Sequence, residues 1–181
     1  LHVRSRRQRQ MCIRDSVPVA TTLVFAVYTF TLLAALLYLG PLSDHIGRRP
    51  VVTAGSLALA LSLAMFWFAD SLATLLVARA LQGLAAGLLI PALSAMMIDF
   101  EPPSHPNIAA LWNTIGPMIG LGTGALGAAL LLDLTPEPTA AVFGPLVLAF
   151  LTVAATVWST PELVPKTRIP VSYTHLTLPT T

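Results

Sequence analysis

Apolar residues fill this chain in five long blocks, and charged residues are confined to the seams between them. No Asp, Glu, Lys or Arg occurs in residues 16–43, 50–69, 80–98, 102–132 or 138–161. A helix rises about 1.5 Å per residue, so roughly 20 apolar residues cover the ~30 Å of a hydrocarbon layer. Each block reaches that length, the third once it is extended back to Ser71 with Arg79 as its one charged exception. Runs such as Leu32-Leu33-Ala34-Ala35-Leu36-Leu37 do not alternate, which argues against barrel strands of roughly ten alternating residues. The pattern predicts an all-α polytopic membrane bundle with helices over 18–39, 51–69, 72–98, 108–132 and 139–160.

Local punctuation supports these limits. Ser71 or Asp70 can cap the helix at 72. The prolines of the 99–107 loop stop one helix and let the next begin. Pro91, Pro117 and Pro145 fall inside spans, where lipid favours a kinked or packed helix over a broken one. Phe66, Trp67 and Phe68 close the second span with rings suited to headgroup depth.

Composition sharpens the class. The chain is 55% hydrophobic and 10% charged, with a mean hydropathy of +0.78. Soluble domains carry about 25% charge, so a soluble fold could not cover itself with this sequence. The net charge of +2 is misleading, because Arg4, Arg6, Arg7, Arg9 and Arg14 supply half of the ten basic residues. From Val17 onward five basic residues face seven acids, which excludes a nucleic-acid surface. Cys12 is the sole cysteine, so no internal disulfide can form. His105 stands in a Pro-rich loop with no second ligand nearby, so no metal is expected. No His-Glu-x-x-His, Gly-x-Ser-x-Gly or phosphate-binding glycine loop occurs, and neither an enzyme nor a cofactor is expected.

Orientation follows from the basic residues, which favour the cytoplasmic side. With the 40–50 turn inside, Arg48, Arg49, Lys166 and Arg168 all lie inside, but the arginines of the first 14 positions are then stranded outside. The segments 7–16 and 171–180 resemble translated sequencing-adaptor read-through, and setting them aside removes the conflict. The expected organisation is a non-native basic tail at 1–16, a transmembrane bundle at 17–170 and a second non-native tail at 171–181, neither tail holding a stable fold. A genuine juxtamembrane basic arm is the alternative.

The turn itself reads Gly40-Pro41-Leu42-Ser43-Asp44-His45-Ile46-Gly47-Arg48-Arg49-Pro50. It resembles the loop signature of the major facilitator superfamily at Gly40, Leu42, Asp44, Gly47, Arg48 and Arg49; Ser43 and His45 depart from it. The resemblance implies that the chain covers helices two to six of twelve, with helix one and the C-terminal half of the same transporter as its partners. It implies a cytoplasmic gate in which Asp44 clamps a helix of the opposite half. Arg48 pairs with Asp99 at the end of the fourth family helix, giving a network Asp44–Arg48–Asp99. A turn that only sets orientation is the plainer alternative.

Two further patterns carry chemistry. Arg79-Ala80-Leu81-Gln82-Gly83-Leu84-Ala85-Ala86-Gly87 resembles the family's Arg-x-x-x-Gly-x-x-x-Gly helix. Arg79 lies nine residues below the outer turn, roughly 13 Å deep. A charge there costs about 2.5–3.5 kcal/mol on insertion scales, so a cavity or partner is expected, with Gln82 beside it. Outward snorkelling is the alternative. Gly83 and Gly87, four apart, make a smooth packing face. Gly116-Pro117-Met118-Ile119-Gly120 resembles the core of an antiporter-branch motif, but Trp112 and Pro103 stand where that motif has glycines, and a generic small-residue face is equally compatible. Asn113 and Tyr28 can line a substrate path or bond between helices, and Thr31 suits the latter.

The resemblance implies transport of a small solute across the bacterial inner membrane, coupled to protons, with drug or organic-compound export as the leading form. The lipid bilayer is the solvent, and the chain alone is expected to be inactive. A membrane-embedded enzyme would need a catalytic group at depth. A non-transporting helical scaffold or receptor subunit would need neither gate motif nor central arginine.

Overall fold

The structure is a computed structural model that describes the backbone of residues 2–160 and the side chains of residues 19–160. The described chain is entirely helical outside its turns. Helix α1 covers His2–Leu39, α2 Leu42–Ile46, α3 Arg48–Trp67, α4 Leu72–Asp99, α5 Ile108–Leu134 and α6 Pro138–Ser159. Five of these are long and apolar enough to cross a membrane, α1 from Val19 onward.

The limits match the charge gaps to within a few residues, with two differences. The backbone of residues 2–16 continues α1 as helix, ahead of the expected start at 18. Arg, Gln, Met and Ile are adequate helix formers, and extending an existing helix avoids the cost of nucleating one. The second expected tail, with Lys166 and Arg168, lies outside the described residues. The 40–50 turn is also more structured than expected. It contains α2, and α3 then begins at Arg48. Gly47 joins the two at φ 108° and ψ 151°, a conformation that a β-carbon resists. Gly40 is needed for a different reason, since a Cβ there would lie 2.5 Å from the carbonyl oxygen of Leu36.

The five long helices alternate in direction, with α1 and α4 running the same way, so the bundle has a motif end, holding α2, and a far end. Helix α4 lies between α1 and α3, and α3 carries α6 on its other side. The core is the α3–α4 seam, where Val51, Val52, Leu59, Ala85, Leu89 and Ala92 are buried. Ser62 strengthens it by donating a hydrogen bond to the Ala78 carbonyl at 2.9 Å, both residues being inaccessible. Helix α5 touches α4 and α6 only lightly. Large side chains such as Phe30, Leu37, Met118 and Leu134 stand more than 70% exposed, which lipid or further helices can tolerate and water cannot.

Ends and prolines behave simply. Of the two candidates, Ser71 is the residue that caps α4, its hydroxyl accepting from the Thr74 N–H at 3.1 Å. Ser71→Ala is expected to lower the melting temperature of the detergent-solubilised chain by about 2–4 °C, the equivalent of a typical cap of ~1 kcal/mol. Asn107 precedes α5 at φ 72° without a side-chain cap. Instead Glu101 reaches across the loop and accepts from the Ile108 N–H at 3.0 Å. Helices α4, α5 and α6 run on through Pro91, Pro117 and Pro145.

Candidate functional site

Two constellations of charge stand out, one at each end of the bundle. At the motif end, Arg48 opens α3 beside the last turn of α4. Its guanidinium donates to the Asp99 carboxylate and to the Ala95 carbonyl. A cation is unfavourable at the start of its own helix, but here it meets the negative end of α4. The two side chains are 23% and 27% exposed, so the pair is partly shielded and stronger than a surface pair. Asp44 does not join it. Asp44 is exposed on α2, and no ion pair to it occurs among the described residues. The physical reason is Gly47: its backbone breaks the helix between 44 and 48, so the two residues do not share one helical face. The expected three-residue network is here a pair. Arg49 turns the other way, with its Cζ 4.9 Å from the Trp158 ring, linking the start of α3 to the end of α6.

Towards the far end, Arg79 sits seven residues into α4, about 10 Å along its axis. Its Nη1 donates to Gln82 Oε1 at 2.9 Å. The guanidinium carbon lies 5.5 Å from the Phe25 ring of α1 and 4.8 Å from the Phe66 ring of α3. Its Nε is shut off from solvent without a hydrogen-bond partner. The guanidinium is therefore held between three helices, toward the far end of the bundle. No carboxylate pairs with it among the described residues.

The glycines after Arg79 explain how α1 comes so near. A Cβ on Gly83 would meet Thr31 Oγ1 and stand 2.5 Å from the Tyr28 carbonyl oxygen. A Cβ on Gly87 would stand 2.5 Å from that of Ala35. The Thr31 hydroxyl donates back to the Val27 and Tyr28 carbonyls, at 2.9 and 3.0 Å. Tyr28 thus lies level with Gly83, close to the Arg79–Gln82 pair. Asn113 does not. Its amide oxygen accepts from Ser94 at 3.2 Å, and Ser94 is about 22 Å further along α4 than Arg79. It ties α5 to α4 at the other level of the bundle. At Gly116 and Gly120, on either side of Pro117, no atom beyond the local helix backbone lies within 4 Å of a built Cβ. Among the described residues no group of His, Cys, Asp and Glu is arranged to hold a metal.

Sequence reasoning missed Phe25, Trp158, Ser62 and Glu101, and the contact of Phe66 with Arg79. The depth of Phe66 was legible from its place at the end of a span, but which rings face the arginine depends on how each helix is rotated.

The family model of the Major Facilitator Superfamily matches residues 16–178. The chain belongs to the major facilitator superfamily. The match includes most of 171–181 as well as the bundle. The multidrug efflux pump LfrA of Mycolicibacterium smegmatis is 32% identical over 180 aligned positions, covering 80% of this chain and 35% of that protein. The major facilitator superfamily multidrug transporter mfsB of Aspergillus fumigatus is 33% identical over 106 positions, 54% of this chain and 18% of the relative. The multidrug resistance protein MdtM of Escherichia coli is 53% identical over 45 positions, 25% of this chain and 11% of the relative. The chain thus spans about a third or less of these relatives. No solved structure matches it significantly. The chain is a multi-pass membrane protein of a transporter family.

Proposed function

We propose that this chain is part of the N-terminal half of a proton-coupled exporter of drug-like organic compounds in the bacterial inner membrane. The observation that carries the reading is Arg79. An apolar bundle gains nothing from enclosing a guanidinium, and the insertion cost of a few kcal/mol must be offset elsewhere. A scaffold or receptor subunit has no use for that expense, whereas a transporter that handles charge between its helices does. In this reading Arg79 and Gln82, with Tyr28 at the same level, line the solute or coupling path. Arg48 and Asp99 form one side of a gate at the cytoplasmic end, with Asp44 free to meet the opposite half. Asn113, bonded to Ser94, serves the bundle rather than the path. Multidrug names among the relatives support the substrate class, and the partners required are helix one and the C-terminal half.

The test uses the complete transporter in cells lacking their own efflux pumps. Loaded with a lipophilic cationic dye, they are expected to lose it at least tenfold faster than cells with an empty vector, and to stop when a protonophore collapses the gradient. Dye loss no faster than the empty vector overturns the export reading. Efflux that persists under the protonophore removes the proton coupling.

A further inference from the structure

The sequence predicts a counter-ion or cavity for Arg79; the structure supplies two ring faces. Phe25 comes from α1, Phe66 from α3 and the guanidinium from α4, so three helices meet at one cation. The Phe143 ring of α6 stacks with Phe66 at 6.2 Å between centroids with planes 6° apart. The order Phe25, Arg79, Phe66, Phe143 crosses α1, α4, α3 and α6 at one level. That level follows from the register. Phe25 lies six residues from Val19 and Phe143 five from Pro138. Phe66 is one residue from the far end of α3, and a long side chain on α4 leans toward that helix's N-terminus, which is the same end.

An aromatic face carries partial negative charge, and a cation within about 6 Å of the centroid is attracted to it. The attraction grows where water is excluded, which is the condition at the Nε of Arg79. Gln82 takes one N–H of Nη1. The Nε edge of the fork is left without a hydrogen-bond partner, although it is covered. Two rings and one amide oxygen therefore stand where a carboxylate could pair with the arginine, and they do not cancel its charge.

We infer that Phe25 and Phe66 are positioning residues for Arg79: they stand in for a counter-ion, fix the depth and plane of the guanidinium, and keep its Nε edge uncommitted. Phe143 braces Phe66, so a displacement of α6 against α3 shifts the ring on which the cation rests. The clamp itself follows from the geometry alone; its importance for transport rests on the function proposed for Arg79.

Ring fluorination tests it, because successive fluorines withdraw the negative face while hardly changing shape. In the full 181-residue chain in detergent, mono-, di- and trifluorinated phenylalanine at position 66 should lower the melting temperature stepwise, by roughly 3–6 °C in all. Position 25, at the longer distance, should give smaller steps, and the exposed Phe30 none. With Arg79→Met in place the steps at 66 and 25 should vanish. A flat series, or steps that survive Arg79→Met, overturns the clamp. In the complete transporter, trifluorination at 66 should slow dye efflux several-fold while Phe66→Tyr restores it. Normal efflux after trifluorination, where Arg79→Ala abolishes it, overturns the positioning role. Normal efflux in Arg79→Ala itself would instead defeat the functional reading and leave the melting series standing.

Discussion

Gly83→Leu is expected to prevent the bundle from forming. The first atom of any side chain at that position would lie 2.5 Å from the Tyr28 carbonyl oxygen and nearer still to the Thr31 hydroxyl. A flexible side chain can move aside, but a helix backbone cannot without separating α1 from α4. Overpacking costs about 1–3 kcal/mol where neighbours can adjust. Here the obstruction is main chain, so the cost should lie at or above the top of that range. The measurement is thermal unfolding of the purified chain in detergent. Gly83→Leu should give no cooperative transition, and Gly83→Ala a transition lowered by several degrees. Thr31→Ala should recover only part of the Gly83→Ala loss, because the Tyr28 carbonyl stays where it is. Gly120→Leu is the comparison: it has open space around it and should change stability by less than about 0.5 kcal/mol. Equal effects at 83 and 120 would show that α1 does not pack on α4 as described.

Arg48→Ala should strongly slow transport by the complete protein. It removes the ion pair with Asp99 and the bond to the Ala95 carbonyl, leaving two acceptors at the end of α4 without their cation. Hydrogen bonds to a charged group contribute about 1.5–3 kcal/mol, and partial exposure places this pair toward the lower figure. A gate whose two states differ by that amount shifts its populations about tenfold or more. Efflux should fall by a similar factor, with the chain still folded and inserted. Arg48→Lys should retain part of the activity, since an ammonium keeps the charge but not the planar fork. Asp99→Asn should resemble Arg48→Ala. Unchanged efflux in Arg48→Ala would remove the gate role.

The spans were legible because burial in lipid needs only length and the absence of charge. The limits of α4 and α6 differ from expectation by a residue or so at most, and α5 runs two residues further. Helix α3 starts three residues early because Gly47 turns the chain directly into it and Pro50 is harmless in a first turn. The spacing of Gly83 and Gly87 identified a close-packing face, though not its partner. Pairings across helices were harder. Arg48 meets Asp99 because both lie at helix ends that topology brings together, which counting residues can suggest. The rings around Arg79 could not be assigned, since hydropathy gives a residue's depth and leaves its direction around the helix axis open. Asn113 reads as either a path residue or an interhelical bond, and its polarity does not reveal that its partner is Ser94, at a different level from Arg79.

Helix α5 carries Gly116, Gly120, Gly122, Gly124 and Gly127 with no atom within 4 Å of where their β-carbons would stand. Their smallness therefore serves no neighbour that the described bundle provides. Should natural variants keep those positions small, the pressure to do so would have to originate beyond these six helices, and a screen for folding of this chain alone would be blind to it.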